Sequence, residues 1–282
     1  MGPDPQDPPE SPAASPVSKV ETGTEKLLLD FPAEAVARLT ISNPDRRNAL
    51  DHEILDAIST TVPRLDSGID VRCLLLTGTD PVFSAGYDIG SIPDESFERD
   101  AEALVAHPFH EALEAVAAFP WPTVAAINGH CLGGGLELAV TCDLRIAAEG
   151  ALMGMPPAKL GLIYSQSDTA RLMRAVGAAR AKDLLFTARL VDAAEALRIG
   201  LVEDVTAPDA LEALVAARLA PLAGGSRPAL RAIKAMAAAI EAGAPPDDPA
   251  LAALFQESFA GADFREGYNA FLGKRAPVFT AR

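Results

Sequence analysis

Three consecutive glycines, Gly133-Gly134-Gly135, separate an apolar β-like run, Thr123 to Ile127, from a helix-like run, Leu136 to Val140. This junction constrains the chain more than any other stretch. Without Cβ atoms the backbone can turn sharply and come close to a ligand. A helix beginning here presents unpaired N–H groups and a partial positive charge. The stretch therefore suits a negative oxygen held by main-chain amides. Its own residues leave open whether that oxygen belongs to a phosphate or to a developing oxyanion.

The flanking sequence alternates strands and helices. Lys26 to Phe31 and Ala35 to Ile41 read as strands around a turn at Pro32-Ala33, and Asn43-Pro44-Asp45 as a further turn. Ala49 to Val62 has helical spacing with Asp51 placed as N-cap. Val71 to Gly78 reads as a strand buried on both faces, and Val82 to Ile89 as a strand entering a Gly turn. Ser96 to Ala118 reads as a helix interrupted at Pro108. After the triple glycine come a strand at Leu144–Ala148, an irregular stretch from Met153 to Ser165, and helices at Thr169–Val176 and Ala179–Leu185. Asp168 suits the N-cap of the first of these helices. A short helix, Asp192 to Arg198, closed by Gly200, leads to a strand at Leu201–Val205. From Leu211 onward the chain is Ala- and Leu-rich helix, broken at Gly224-Gly225 and Gly243 to Pro246. This order indicates an α/β body at 18–220 followed by a helical region at 221–282.

Composition excludes several functions. Residues 1–17 are rich in Pro, Ser, Asp and Glu, reading as a disordered tail, and lack the basic and apolar regions of a signal peptide. No run is long and apolar enough to span a membrane. A formal net charge of −15 disfavours nucleic acid as a partner, leaving Arg46-Arg47 and Lys274-Arg275 as local cations for a small polyanion. Cys73, Cys131 and Cys142 lie in apolar surroundings without metal-ligand spacing. They fit core thiols of a protein in a reducing cytoplasm, and no metal is expected. His130 beside Cys131 does not make a dyad, because neighbouring strand residues face opposite ways.

A second strand-to-glycine junction, at Gly86-Tyr87, bears on the open question. If the fold brings the two junctions together, two N–H donors converge on one oxygen as in an oxyanion hole, where one donor contributes about 3–4 kcal/mol to transition-state stabilisation. The triple glycine lacks the spacing of a dinucleotide fingerprint, and no phosphate-loop signature is present.

Phe83-Ser84-Ala85-Gly86-Tyr87-Asp88-Ile89 together with Gly129 to Ala139 resembles the paired signatures of the crotonase (enoyl-CoA hydratase/isomerase) superfamily. The likeness extends from about Lys26 to the ending Glu266 to Arg275. It implies a spiral of ββα units, a helical C-terminal trimerisation region giving a homotrimer or dimer of trimers, and acyl-CoA thioester substrates with no further cofactor. By the same resemblance the N–H groups of Tyr87 and Gly134 hold the thioester oxygen as it becomes an enolate. Arg47, Ala49, Ala85, Gly86, Asp88, Ile89, Gly133 and Lys274 would then contact substrate or CoA.

Hydratases of this family resemble one another in using two glutamates. The first falls on Glu137; the second falls on Pro157, which transfers no proton. Met155 to Tyr164 resembles instead the methylmalonyl-CoA decarboxylase-like members, with Tyr164 orienting the departing carboxylate. Loss of CO2 from a malonyl-type thioester leaves an enolate that the two amides stabilise. The sequence thus favours decarboxylation. The alternatives are an enoyl-CoA hydratase or isomerase working through Glu137, and an acyl-CoA-binding protein without turnover. Glu137 itself reads equally well as an acid facing the acyl chain or as a first-turn acid stabilised by the helix dipole. Asp168 is a possible second carboxylate.

Overall fold

A computed structural model describes residues 21–66, 70–89, 95, 99–100, 102 and 108–280. The expected tail at 1–17 and much of the helix expected from Ser96 lie outside them. The chain opens with an antiparallel pair, β1 (Leu27–Ala33) and β2 (Val36–Ile41), and then α1 (His52–Arg64), capped by the Asp51 side chain on Ile54 N at 3.0 Å. The turn falls at Glu34-Ala35 rather than Pro32-Ala33. The edge strand β1 runs through Pro32 with a register shift between Asp30 and Ala33, and an edge position tolerates a missing N–H.

Three ββα units follow. The first is β3 (Cys73–Gly78), β4 (Val82–Ser84) and α2 (His110–Ala118). The second is β5 (Thr123–Ile127), β6 (His130–Leu132) and α3 (Gly134–Thr141). The third is β7 (Leu144–Ala148), β8 (Leu152–Gly154) and α4 (Pro157–Leu160). The first strands of the units lie side by side in a six-stranded sheet ordered β1-β2-β3-β5-β7-β10, the last being Asp204–Thr206, and the second strands stack into a four-stranded sheet ordered β4-β6-β8-β9, the last being Val191–Asp192. Between the third unit and the last strands lie α5 (Gln166–Val176), α6 (Ala178–Thr187), β9 (Val191–Asp192) and α7 (Ala193–Ile199), before β10 (Asp204–Thr206). The expected α/β spiral is the observed fold. The stretch read as irregular contains β8 and α4, and the last strand begins at Asp204 because the amides of Leu201 and Val202 close α7 onto Ala196.

Alternation along the central strands separates two cores. Leu74, Leu76, Ala125, Ile127 and Ala147 face the helices of the spiral. Cys73, Leu75, Val124, Ala126, Ile146 and Ala148 face the other way, under Leu211, Val215 and Leu219 of α8 (Leu211–Ala223). All three cysteines are buried and free. The later helices are different. Neither α9 (Arg227–Glu241) nor α10 (Pro249–Ala260) buries a residue, and α11 (Ala262–Leu272) buries only Asp263 and Ala270. Polar anchors hold α9 to the body: Lys234 Nζ donates to Asp143 Oδ2 at 2.8 Å, and the Arg227 guanidinium lies 4.2 Å from the Trp121 ring centre. No helix among the described residues is long and apolar enough to cross a membrane.

The passage from β5 to β6 turns at Gly129, where a Cβ would lie 1.9 Å from the carbonyl oxygen of Pro81. Backbone must move to admit it, so Gly129→Ala is expected to lower stability by about 1–3 kcal/mol. Gly224→Ala, at a right-handed helix end with its nearest atom at 3.4 Å, is the matched control. Equal urea midpoints for the two variants would contradict this.

Candidate active site

The segment Arg47–Leu50 runs beside Ala85–Asp88. Ala85 N donates to the Arg47 carbonyl at 3.0 Å, Leu50 N to the Gly86 carbonyl at 2.7 Å, and Asp88 N to the Leu50 carbonyl at 3.0 Å. Successive amides in such a ladder point to opposite sides, which turns the Tyr87 N–H away from Leu50. Sequence periodicity placed Ala49 and Leu50 in α1. Both lie before it, and Leu50 is bridged to Tyr87. Asn48, 1% exposed, fixes this segment: its amide donates to the carbonyls of Thr79 (2.8 Å) and Val82 (2.6 Å). Sequence reasoning missed Asn48, since nothing local marks a buried amide.

The three glycines of the opening stretch have separate tasks. Gly133, at φ 51° and ψ −125°, adopts a backbone conformation that residues with a side chain rarely take, and it precedes α3. Gly134 is the first residue of that helix, so its N–H has no acceptor within the helix. A Cβ on Gly135 would lie 2.6 Å from Ser84 Cβ, so its absence lets α3 sit against β4. The two glycine turns touch: a Cβ on Gly86 would be 2.9 Å from the Leu132 carbonyl and 3.3 Å from Gly134 N. The Tyr87 and Gly134 amides therefore flank one small space.

Glu137 lies one helical turn further on, 1% exposed. The Tyr87 hydroxyl donates to its Oε2 at 3.0 Å, while Oε1 is buried without a hydrogen-bond partner among the described residues. Burial, and then the nearby Asp168 charge, push the carboxyl from its ordinary 4.5 up to about 8, against the opposing hydrogen bond from Tyr87. Glu137 is also an acid of the first turn of α3, where the helix dipole favours its anion, but burial outweighs that here. Tyr87 is itself held edge-on to Phe109, with ring centres 4.6 Å apart. Tyr164 completes the group. Its hydroxyl lies 3.8 Å from where a Gly133 Cβ would stand, and burial pushes its ionisation upward.

Asp168 is not the N-cap of α5. Ser165 is, accepting from Asp168 N at 3.1 Å, and the Ser165-x-x-Asp168 spacing is the signal that could have shown it. Asp168 is 6% exposed, with the Ser165 hydroxyl on its Oδ2 and Arg171 Nη1 donating to Oδ1 at 2.9 Å. Arg171 also donates to Glu114 on α2 at 2.5 Å. Pro157 is the buried first residue of α4.

Tyr87, Gly133, Gly134, Glu137 and Tyr164 are thus brought together, with Gly86 against Gly134, while Ala85 donates to the Arg47 carbonyl and Ala49 is buried beside Leu50 in sequence. Asp88 is paired with Arg46 at 3.8 Å, and Arg47 and Ile89 lie at the exposed rim. Lys274 lies beyond the end of α11, exposed and at φ 50°, and no contact among the described residues joins it to the group. His130 faces outward and accepts from Leu152 N, while Cys131 is buried, so the two form no dyad.

The arrangement offers two amide donors for an oxygen and a neutral carboxylic acid one helical turn away. Residues 32–282 match the Enoyl-CoA hydratase/isomerase family. The probable enoyl-CoA hydratase echA8 of Mycobacterium tuberculosis is 38% identical over 250 residues, covering 88% of this chain and 96% of its own. The crotonyl-CoA hydratase of Syntrophomonas wolfei is 37% identical over 257 residues, covering 88% and 96%. The crystal structure of a putative enoyl-CoA hydratase/isomerase family protein from Hyphomonas neptunium superposes with a TM-score of 0.85 at 36% identity, over 93% of this chain and 100% of that one.

The titration of Glu137 gives a test that needs no substrate. Its folded pKa of about 8 exceeds the ordinary 4.5, so between those values the folded state binds more protons than the unfolded. This stabilising contribution is complete below pH 4.5 and is lost as pH rises through 8. Glu137→Gln removes it. The urea midpoint of Glu137→Gln relative to wild type should therefore rise between pH 5 and pH 9; a constant difference would refute the shifted carboxyl.

Proposed function

We propose that this chain, which belongs to the enoyl-CoA hydratase/isomerase family, hydrates the conjugated double bond of an enoyl-CoA thioester, with Glu137 as its acid. The observation that carries this reading is the buried carboxyl of Glu137, kept neutral near pH 7 beside the paired amides of Tyr87 and Gly134. Water adds through its oxygen to C3, and the π electrons move onto the thioester oxygen, which the amides hold. Glu137 gives its proton to C2 and takes one back from the attacking water, so the acid is regenerated. One carboxyl can do both because the enolate is stabilised separately.

The sequence alone ranks decarboxylation first, on Pro157 and Tyr164. Two considerations reverse that order. Relatives covering nearly the same span are named hydratases. A second acid, Asp168, also stands beside Glu137, and an added substrate carboxylate would meet both. Decarboxylation keeps one observation in its favour, the Tyr164 hydroxyl near Gly133. The acyl-CoA is the substrate in either case, with Arg47 and Lys274 as the cations for its phosphates.

Mass spectrometry of the purified protein with crotonyl-CoA and, separately, methylmalonyl-CoA distinguishes the readings. Hydroxybutyryl-CoA is expected from the first, and Glu137→Gln should lower that rate by about 10²–10⁴-fold, whereas Tyr164→Phe costs much less. Propionyl-CoA from the second substrate, with Tyr164→Phe the more damaging change, would overturn the hydratase reading. Binding of both thioesters without change would leave a non-catalytic acyl-CoA-binding protein. Activity should fall as pH rises past 8 and Glu137 loses its proton.

We also read α9–α11 as a subunit interface of a homotrimer or dimer of trimers, the assembly the family resemblance implies. Ile233, Phe255, Phe259, Phe264 and Phe271 are all more than half exposed on helices that bury almost nothing of their own. Phe259→Glu should shift the protein to monomers in analytical ultracentrifugation. An unchanged sedimentation coefficient for a wild-type monomer would reject the assembly.

A further inference from the structure

We propose that the phenol of Tyr87 is a positioning residue that places the acidic proton of Glu137 on Oε1, the carboxyl oxygen with no partner of its own. The inference rests on the reading of Glu137 as the acid, and it gives the Tyr87 side chain a task beyond that of its main-chain amide.

A neutral carboxyl has one oxygen that only accepts and one that carries the proton. The Tyr87 hydroxyl donates to Oε2 at 3.0 Å, and no other hydrogen bond of that hydroxyl occurs among the described residues. Its proton therefore goes to Oε2, which becomes the carbonyl-like oxygen, and the acidic proton belongs on Oε1. Oε1 is the atom that is buried and unpartnered. An orphaned buried polar atom is costly in an ordinary interior. Here it is a donor held ready for a substrate carbon.

The phenol keeps its place by packing. Its ring lies edge-on to the buried Phe109, at an interplanar angle of 76°. On its other side the ring crosses Gly134 so closely that a Cβ there would be 3.0–3.2 Å from three ring carbons. Gly134 thus serves twice, once through its N–H and once by leaving room for the ring that orients the acid.

The groups that bear on the Glu137 carboxyl among the described residues are Tyr87 after β4, Tyr164 before α5, and Asp168 and Arg171 on α5, with Glu114 of α2 reached through Arg171. Asp168 bears on the carboxyl through its charge and a weaker side-chain interaction, but no hydrogen bond from it reaches Oε1, so it does not select an oxygen. Only the hydrogen bond from Tyr87 is directional enough to do that.

Tyr87→Phe tests the proposal, because it keeps the ring, the contact with Phe109 and the main-chain amide. The carboxyl C=O band of Glu137 is assigned from the infrared difference between wild type and Glu137→Gln at pH 6, without substrate. In Tyr87→Phe that band should move to higher frequency, because its oxygen loses a donor, and its titration should move to higher pH. With crotonyl-CoA, kcat should fall about tenfold with KM within about twofold, the loss expected for one hydrogen bond. Asp168→Asn should instead lower the titration pH and leave the band near its wild-type frequency. A band unmoved in Tyr87→Phe overturns the proposal whatever the protein does to crotonyl-CoA. A moved band in a protein that hydrates nothing upholds the proton placement and removes the hydratase reading.

Discussion

The contact between the turns at Gly86 and Gly134 is the constraint on which the rest depends. Two main chains approach there within the space one methyl group would need, since a Cβ on Gly86 would sit 3.3 Å from Gly134 N. That approach requires β4 and β6 to be neighbours, and they are, in parallel register. It also requires α3 to begin without a side chain and to lie flat on Ser84. The second sheet of the spiral holds the two glycine turns against each other. The larger sheet and its two cores supply the rigidity that keeps them there.

Against that rigid pair stands a group whose burial is unfavourable. A carboxyl 1% exposed is driven to its neutral form by loss of water. Asp168, tied to Arg171 and Ser165, strengthens the effect, and the Tyr87 hydroxyl weakens it. The result is an acid whose ionisation lies near the pH of ordinary solution chemistry, where proton transfer in both directions is fast. A surface acid at the same helical position would be ionised at neutral pH.

Much of this was legible in the sequence, and the limits have physical reasons. β5 and β7 were readable to the residue because both are apolar runs bounded by turns. α7 was readable because Asp192 and Gly200 bracket it as cap and left-handed stop. The two donor junctions were visible because glycine is the one residue type that such close backbone needs. β8 and α4 were not, since three or four residues show no period. The Tyr87–Glu137 bond and the Asp168–Arg171 pair join positions far apart in the chain, which no local pattern encodes. The order of reactions changes under our proposal for a related reason. Pro157 and Tyr164 could be read locally, whereas the state of Glu137 depends on neighbours that only the fold assembles.

Pro157 opens α4 as its first helical residue, buried and with its ring pre-set for the helix. A glutamate at such a position is equally acceptable to a helix start, through the dipole rather than the ring. The backbone there is thus close to neutral toward the presence or absence of a second acid. A scaffold with this property separates heritable change in reaction from heritable change in folding. Exchange at one helix-opening residue can change the chemistry a buried position offers while leaving the helix start, and the glycine turns elsewhere in the spiral, as they were.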